Sequence, residues 1–472
     1  MKAGRSALAL YPLALLLGVG CALLVAGFDL LIHLVHNLAF AGRLSLRYDL
    51  TLPTAPAPWG LATALVPAAG ALLVTTLARK VSPEVEGPGV AQVLEAAAGR
   101  RRPLPPLLLG LKPLASALSI GTGASVGREG PAVHMSAALG GLLGRLPGLQ
   151  PWQRNTLLAA AASGAVAAAY NAPLGGALFA VEIVLAELSV RTVVPVLLCS
   201  VSAAYLGRLL LGTRAILAGL PFPGTPHGLQ GAAALLPYLL LGPLAGLVSV
   251  AFIRMPFLAA DLLHRLIRRN PWLRHGLAML LTGALIVAVF RLTGRYRVEG
   301  LGYATIREVL SAELDGALLL LLLAALKLLL TALALGAGAS GGVLTPALYV
   351  GATLGGAVAH LLGRLAPWLP QSTPALALAG MAAMLASATG APVMAVLTTL
   401  EMTGEIAMAA PLALTVALGY GIRKVFLQDS AYTLRLTRAG RPLPEVRLIR
   451  WLSGERPRGK PRGGGEGPAG PP

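Results

Sequence analysis

The sequence predicts an all-α polytopic membrane protein built from a duplicated unit, and three observations predict it. Of 472 residues, 56% are hydrophobic and only 12% charged, with a mean hydropathy of +0.74; a soluble domain carries about 25% charged residues. The chain also holds 57 glycines and 36 prolines. In a polar chain that content would signal disorder. Within apolar runs it signals transmembrane helices that are broken and packed closely through small residues. Third, the two halves share a pattern. Gly123-Ala-Ser-Val-Gly-Arg-Glu-Gly-Pro131 aligns with Gly338-Ala-Ser-Gly-Gly-Val-Leu-Thr-Pro346, and the match runs on at a constant offset through Ala132/Ala347, Ala137/Ala352 and Leu139-Gly-Gly141/Leu354-Gly-Gly356. Further along, Ala172-Pro173 with Glu182 matches Ala391-Pro392 with Glu401 at the same internal spacing. Duplicated halves with corresponding helix breaks place a binding site at their interface, near the bilayer midplane.

The elements follow in order. Residues 7–40 form an apolar run, ending in His33, His36 and Asn37, that is long enough to span at a tilt. Its Lys2/Arg5 flank lacks a cleavage site, so the run is a retained helix. A polar, proline-rich turn over 41–60 leads to a second span, 60–78, closed by Arg79-Lys80. The irregular stretch Ser82-Pro-Glu-Val-Glu-Gly-Pro-Gly-Val90 opens a short helix that ends near Gly99-Arg-Arg-Arg102. With basic clusters at both of its ends, that helix is re-entrant. Apolar segments at 104–121, 131–146, 153–169 and 173–188 follow. Many are shorter than the roughly 20 residues that cross 30 Å of hydrocarbon, a signature of transporters with broken helices. Longer segments at 192–212 and 231–260 flank an uncharged Pro/Gly loop holding only Arg214. The chain up to 435 is the transmembrane domain, with repeat one at about 60–210 and repeat two at about 275–430; residues 436–472 are a disordered basic tail.

The net charge is +19. The positive-inside rule accounts for most of it and sets both termini in the cytoplasm, as it does the turn His264-Arg-Leu-Ile-Arg-Arg269. Arg291, Arg295 and Arg297, one span later, break the rule. No basic patch is interleaved with aromatics, which excludes nucleic-acid binding. Cys21 and Cys199 lie in apolar spans as buried residues, with neither metal-ligand spacing nor a disulfide framework. No nucleophile–base pair or nucleotide loop supports an enzyme, and no cofactor is implied.

The chemistry centres on Glu129, because an acidic residue at a helix centre in a bilayer costs about 3 kcal/mol on insertion scales. Gly127 and Gly130 favour a break there, and Pro131 suits the first turn of a new helix. Helix starts at Glu129/Pro131 and at Leu344/Pro346, with a third after Gly87-Pro88-Gly89, offer unpaired N–H groups and positive dipole ends. Facing one another, they form an anion site that needs no full positive charge. Ionised, Glu129 competes for that site; protonated, it leaves.

Gly127-Arg-Glu-Gly-Pro131 resembles the signature of the CLC family of chloride channels and chloride/proton antiporters. Gly87-Pro-Gly-Val-Ala91 is similar to the family's first anion-binding motif, Gly342-Val-Leu-Thr-Pro346 to its third, and Ser430-Ala-Tyr-Thr433 to the start of its last helix. Lys112 falls where the family has a lysine. The resemblance covers about residues 8–436. It implies the CLC fold of two inverted-topology repeats with broken and tilted helices, and a homodimer in the cytoplasmic membrane with one pore per subunit. It also implies Glu129 as external gate and proton acceptor, with Pro88, Gly89, Val90, Arg128, Val343, Leu344 and Tyr432 as the anion-binding set.

Two departures matter. Pro88 stands where the family usually has an anion-coordinating serine, and in plant members a proline there accompanies preference for nitrate over chloride; the alternative is that Pro88 only starts the helix. In Leu178-Phe-Ala-Val-Glu-Ile183, antiporters often carry a second glutamate where this chain has Ile183, so the proton path through Glu182 and Ile183 is incomplete. Glu182 and Glu401 otherwise read as partners of backbone groups, Arg128 and Lys112 as an ion pair or carbonyl donors, and His134 and His360 as packed residues. The expected function is transport of a monovalent anion, chloride or nitrate, in exchange for protons. A passive chloride channel is the alternative, and a cation-coupled carrier, disfavoured by the scarcity of acidic residues in the spans, is the second.

Overall fold

The computed structural model describes residues 10–100, 103–185, 189–212, 217, 232–369 and 372–442. The described residues form seventeen α-helices. Ahead of the first repeat, α1 (Leu10–His36) runs on through a π turn to Ala41. Repeat one contains α2 (Val66–Lys80), α3 (Val90–Ala97), α4 (Leu108–Gly121), α5 (Glu129–Leu143), α6 (Pro151–Tyr170), α7 (Pro173–Phe179, continued to Leu185 by a π turn) and α8 (Val190–Leu211). The long α9 (Leu236–Leu266) connects to repeat two. There α10 (Pro271–Thr293), α11 (Tyr303–Leu310), α12 (Ala317–Ala337), α13 (Leu344–Leu365), α14 (Thr373–Thr389), α15 (Pro392–Thr403) and α16 (Ala409–Phe426) follow in the same order, and α17 (Thr433–Arg438) closes the fold. Eight helices among the described residues are long and apolar enough to cross a membrane.

The local chemistry explains the boundaries. Proline occupies the first turn of α6, α7, α10, α14 and α15, where its missing N–H leaves no bond unmade. α3 and α11 each have eight residues, about 12 Å, and are re-entrant in length. Gly89 and Gly302 cap them in the left-handed region, at φ 85° and 82°, where a side chain is disfavoured. α14 is buried from Pro374 to Thr389, so it is apolar all round. Its backbone lies directly against α13 because Gly351, Gly355 and Gly380 carry no Cβ. In the first repeat Gly140 of α5 plays the same part, a Cβ there falling 2.6 Å from the Leu157 carbonyl of α6.

The repeats are joined by reciprocal bonds between equivalent residues. Gly127 and Gly342 exchange both backbone bonds, at 2.8 and 2.6 Å. Ser116 meets Ser340 at 2.8 Å, and their repeat partners Thr331 and Ser125 meet at 3.2 Å. The Lys112 ammonium donates to the carbonyls of Val85 and Gly87, and Lys327 likewise to those of Val298 and Gly300. Such reciprocity is what a two-fold axis between the halves produces.

The expected segments match the helices to within a few residues, and the polar turn expected at 41–60 is irregular from Gly42 to Trp59. Residues 436–438, counted with the tail in sequence, form the last turn of α17, and 443–472 lie outside the described residues. So do the N-terminal residues 1–9, with Lys2 and Arg5, as well as Arg101, Arg102 and Arg214.

Candidate functional site

Four helix starts meet where the repeats touch, those of α3, α5, α11 and α13. The approach depends on missing side chains: a Cβ on Gly130 would lie 2.8 Å from the Pro88 carbonyl oxygen and 3.0 Å from the Gly342 Cα. The first N–H groups of each helix have no intrahelical partner. They turn the centre of the protein into a field favourable to an anion.

Glu129 sits in this centre and is fully buried. Its Oε1 accepts from the Thr345 hydroxyl at 2.5 Å and from the Tyr303 hydroxyl at 3.2 Å, both on repeat two. Its Oε2 is buried with no hydrogen-bond partner among the described residues. Hydroxyls on the opposite repeat thus hold the carboxylate. A hydroxyl can donate to whichever acceptor occupies the site, carboxylate or anion.

Pro88, Val343 and Tyr432 line one cavity of about 290 Å³ on one side of Glu129. Val90 and Leu344 are buried at the starts of α3 and α13, and Gly89 caps α3. The Tyr432 hydroxyl is buried without a hydrogen-bond partner among the described residues, and its ring meets Phe179 edge-on at 6.4 Å. Tyr432 is thus a buried residue and no interfacial aromatic. Arg79, Arg274, Arg435 and His264 also line the cavity, with Glu86, which lies 3.5 Å from Arg79. The vestibule is therefore basic and draws anions toward it.

On the opposite face, across the span of α2, a cavity of about 30 Å³ is lined by His36, Tyr48, Thr54, Glu299 and Tyr303 among others. The arginines that break the charge rule lie on this face. Arg295 and Arg297 both bond Glu308, each to a different carboxylate oxygen. One acidic residue thus offsets part of the cluster, while Arg291 stays exposed.

Two of the expected site residues have committed side chains, as the structural readings of both anticipate. Arg128 donates to Asp29 on α1 at 2.5 Å and to the Ala169 carbonyl at 2.7 Å, with both charges buried. Its positive charge is matched by Asp29, an acidic residue in the first span. Glu182 is a helix cap: its oxygens accept from the N–H groups of Val393 at 3.2 Å and Met394 at 2.7 Å, the start of α15. Glu401 does the same for Leu174 at 3.0 Å and Gly175 at 2.8 Å, the start of α7. Ile183, beside Glu182 in the π turn, is partly buried and apolar. Asp29 is thus paired, and Glu182 and Glu401 are both capping residues. Lys112 is the carbonyl donor, not the ion pair. His134 packs beneath Gly89, and His360 lies 3.8 Å from Asp315.

Tyr303 and Lys327 are site residues that the sequence analysis does not single out, and Thr345 lies within Gly342-Val-Leu-Thr-Pro346 without being assigned a role. A signal for Tyr303 and Lys327 exists: Glu86-Gly-Pro-Gly-Val-Ala91 is matched by Glu299-Gly-Leu-Gly-Tyr-Ala304, which gives the fourth helix start, and Lys112 is matched by Lys327.

Comparison with known proteins finds relatives by sequence and by fold. A family model described as the voltage gated chloride channel matches residues 70–424. The putative chloride channel protein ClcB-like of Ralstonia nicotianae is 32% identical over 387 residues, 81% of this chain and 86% of that protein. The H(+)/Cl(-) exchange transporter ClcA of Vibrio cholerae is 31% identical over 414 residues, 85% of this chain and 84% of its own. The crystal structure of a slow cyanobacterial Cl-/H+ antiporter superposes with a TM-score of 0.78 at 25% identity, covering 91% of this chain and 97% of the other.

Proposed function

The chain belongs to the voltage-gated chloride channel (CLC) family of transporters, which are not enzymes, and on that premise we propose that it exchanges a monovalent anion for protons through Glu129. The observation that carries this reading is the setting of Glu129: a fully buried carboxylate where four helix starts converge, held by hydroxyls and, among the described residues, paired with no cation. An ionised carboxylate is itself the anion that such a site favours. Protonation removes the charge that holds it there. The Thr345 and Tyr303 hydroxyls are then free to donate to an incoming anion, as is that of Tyr432, so one side chain links anion occupancy to a proton. ClcA of Vibrio cholerae bears the name of an H(+)/Cl(-) exchanger, which supports the same chemistry here.

Chloride is the substrate, with nitrate accepted. Pro88 brings neither a hydroxyl nor an N–H to the vestibule, and losing a directional donor favours a larger, more weakly hydrated anion. The functional unit is a homodimer, as the family resemblance implies. Both described ends of the chain lie on the Arg79 face, since α1 crosses once before the 42–59 turn and Arg435 of α17 lines the same vestibule. By its basic residues that face is cytoplasmic, so the protein sits in the cytoplasmic membrane with both termini inside. The arginines at the other mouth break the charge rule because a path for anions benefits from positive charge at both ends.

A second reading, a passive chloride channel, is favoured by one observation: Glu182 is committed to capping α15 and Ile183 is apolar, so this stretch offers no inner proton acceptor. Liposomes carrying an outward chloride gradient discriminate between the two. Exchange moves protons uphill as chloride leaves. A channel brings the reversal potential to the chloride equilibrium value and moves no protons, and that result would remove the exchange reading.

A further inference from the structure

We propose that Glu299, paired with His36, is the station through which a proton from the 42–59 face reaches Glu129. The inference rests on the reading that Glu129 takes up a proton during transport. Glu129 is fully buried, so a proton needs intermediaries. The small cavity on that face provides them. Glu299 lines it at 7% exposure, with Oε1 bonded by the Thr54 hydroxyl and 3.5 Å from Nε2 of His36. The other carboxylate oxygen, Oε2, and Nδ1 of His36 are both buried without partners among the described residues. Tyr303 lines the same cavity, and its hydroxyl donates to Glu129. At about 30 Å³ the space has room for a water, for which a cavity needs about 10–15 Å³.

The transfer balances without forming a tyrosinate. The Glu299 O–H bond breaks as its proton passes to the water, and the water gives a proton to the Tyr303 oxygen. The phenolic proton moves to Glu129 Oε1, forming the new O–H bond there. Glu299 is then recharged from the bath directly or through His36. The neighbouring groups leave it free to do so. Tyr48 and Thr54 face it from the connecting turn and Tyr296 lines the same cavity. Lys327 donates to the carbonyls of Val298 and Gly300 on either side of it, and Arg297 is committed to Glu308. His33 contacts Tyr48 edge-on at 5.7 Å. The repeat equivalent, Glu86, has no such setting: it lies in the large vestibule, partly exposed, beside Arg79.

The test uses the full chain in liposomes, with chloride-driven proton uptake measured from about pH 4.5 to about pH 7.5. Glu299→Gln is expected to slow proton uptake about tenfold and to steepen its fall with rising pH, while Glu299→Asp restores much of the rate. In a Glu129→Gln background, where no proton is needed, Glu299→Gln is expected to leave chloride flux unchanged. Unaltered uptake and pH profile in Glu299→Gln would overturn the relay, as would equal slowing in both backgrounds, which marks a residue that only pins the 42–59 turn. Wild-type protein that passes chloride without moving protons would overturn the exchange reading and the relay with it. Coupled wild-type transport with an unaffected Glu299→Gln would overturn the relay alone.

Discussion

The two repeats are alike in scaffold and different at the centre. Lys112 and Lys327 tie down the loops before α3 and α11 in the same way, and Glu182 and Glu401 each cap a helix of the other repeat. Where the helices start, the pairs diverge: Pro88 against Leu301, Val90 against Tyr303, Glu129 against Leu344, and Gly130 against Thr345. Repeat one supplies the carboxylate and the room for it. Repeat two supplies the hydroxyls that hold it. A two-fold scaffold alone would give a symmetric pore. Asymmetric substitution at its axis leaves one carboxylate, which under the proposed exchange is the single gate.

The comparison can be broken at its strongest point first. Glu129→Gln should abolish proton coupling altogether while anion flux persists, because glutamine cannot lose a proton; retained coupling would take Glu129 out of the mechanism. Next comes the anchor beside it. Asp29→Asn should lower stability by about 3–5 kcal/mol, since Arg128 is left as an unmatched buried charge. Thermal unfolding in detergent reads this directly, and an unchanged midpoint would return Arg128 to the list of anion ligands.

The gate clasp should have a smaller effect. Tyr303→Phe with Thr345→Ala removes two donors worth about 1 kcal/mol each, so Glu129 leaves the site more readily and anion turnover rises several-fold. Slower turnover would show that the hydroxyls serve the anion more than the gate. Glu182→Gln and Glu401→Gln should each cost about 1 kcal/mol, and equally, if both are caps. Smallest of all, Pro88→Ser should shift nitrate-over-chloride preference a few-fold toward chloride through one added donor. No shift would mean that Pro88 only starts the helix.

Much of this was legible in the sequence because it rests on local chemistry. Prolines in first turns, glycines at breaks and the repeated Gly-Ala-Ser pattern place the helices and bring Glu129 to the interface. What was hidden depends on long-range partners. Arg128 next to Glu129 reads as an anion ligand until Asp29, on another helix, is seen to match it. Glu182 is expected to meet backbone groups, but which ones, the first N–H groups of α15 in the other repeat, only the fold reveals. Tyr303 and Thr345 have no local feature that points at a carboxylate. Arg295 and Arg297 become intelligible only once α11 presents Glu308 to both.

The central claim is that Glu129 carries the coupling while Glu182 and Glu401 are caps. The ratio of protons to chloride moved, measured in liposomes for Glu129→Gln, Glu182→Gln and Glu401→Gln side by side, tests it most directly. The account predicts a ratio of zero for the first and the wild-type ratio for the other two. A ratio lost in Glu182→Gln but kept in Glu401→Gln would contradict it, because two equivalent caps cannot differ in that way.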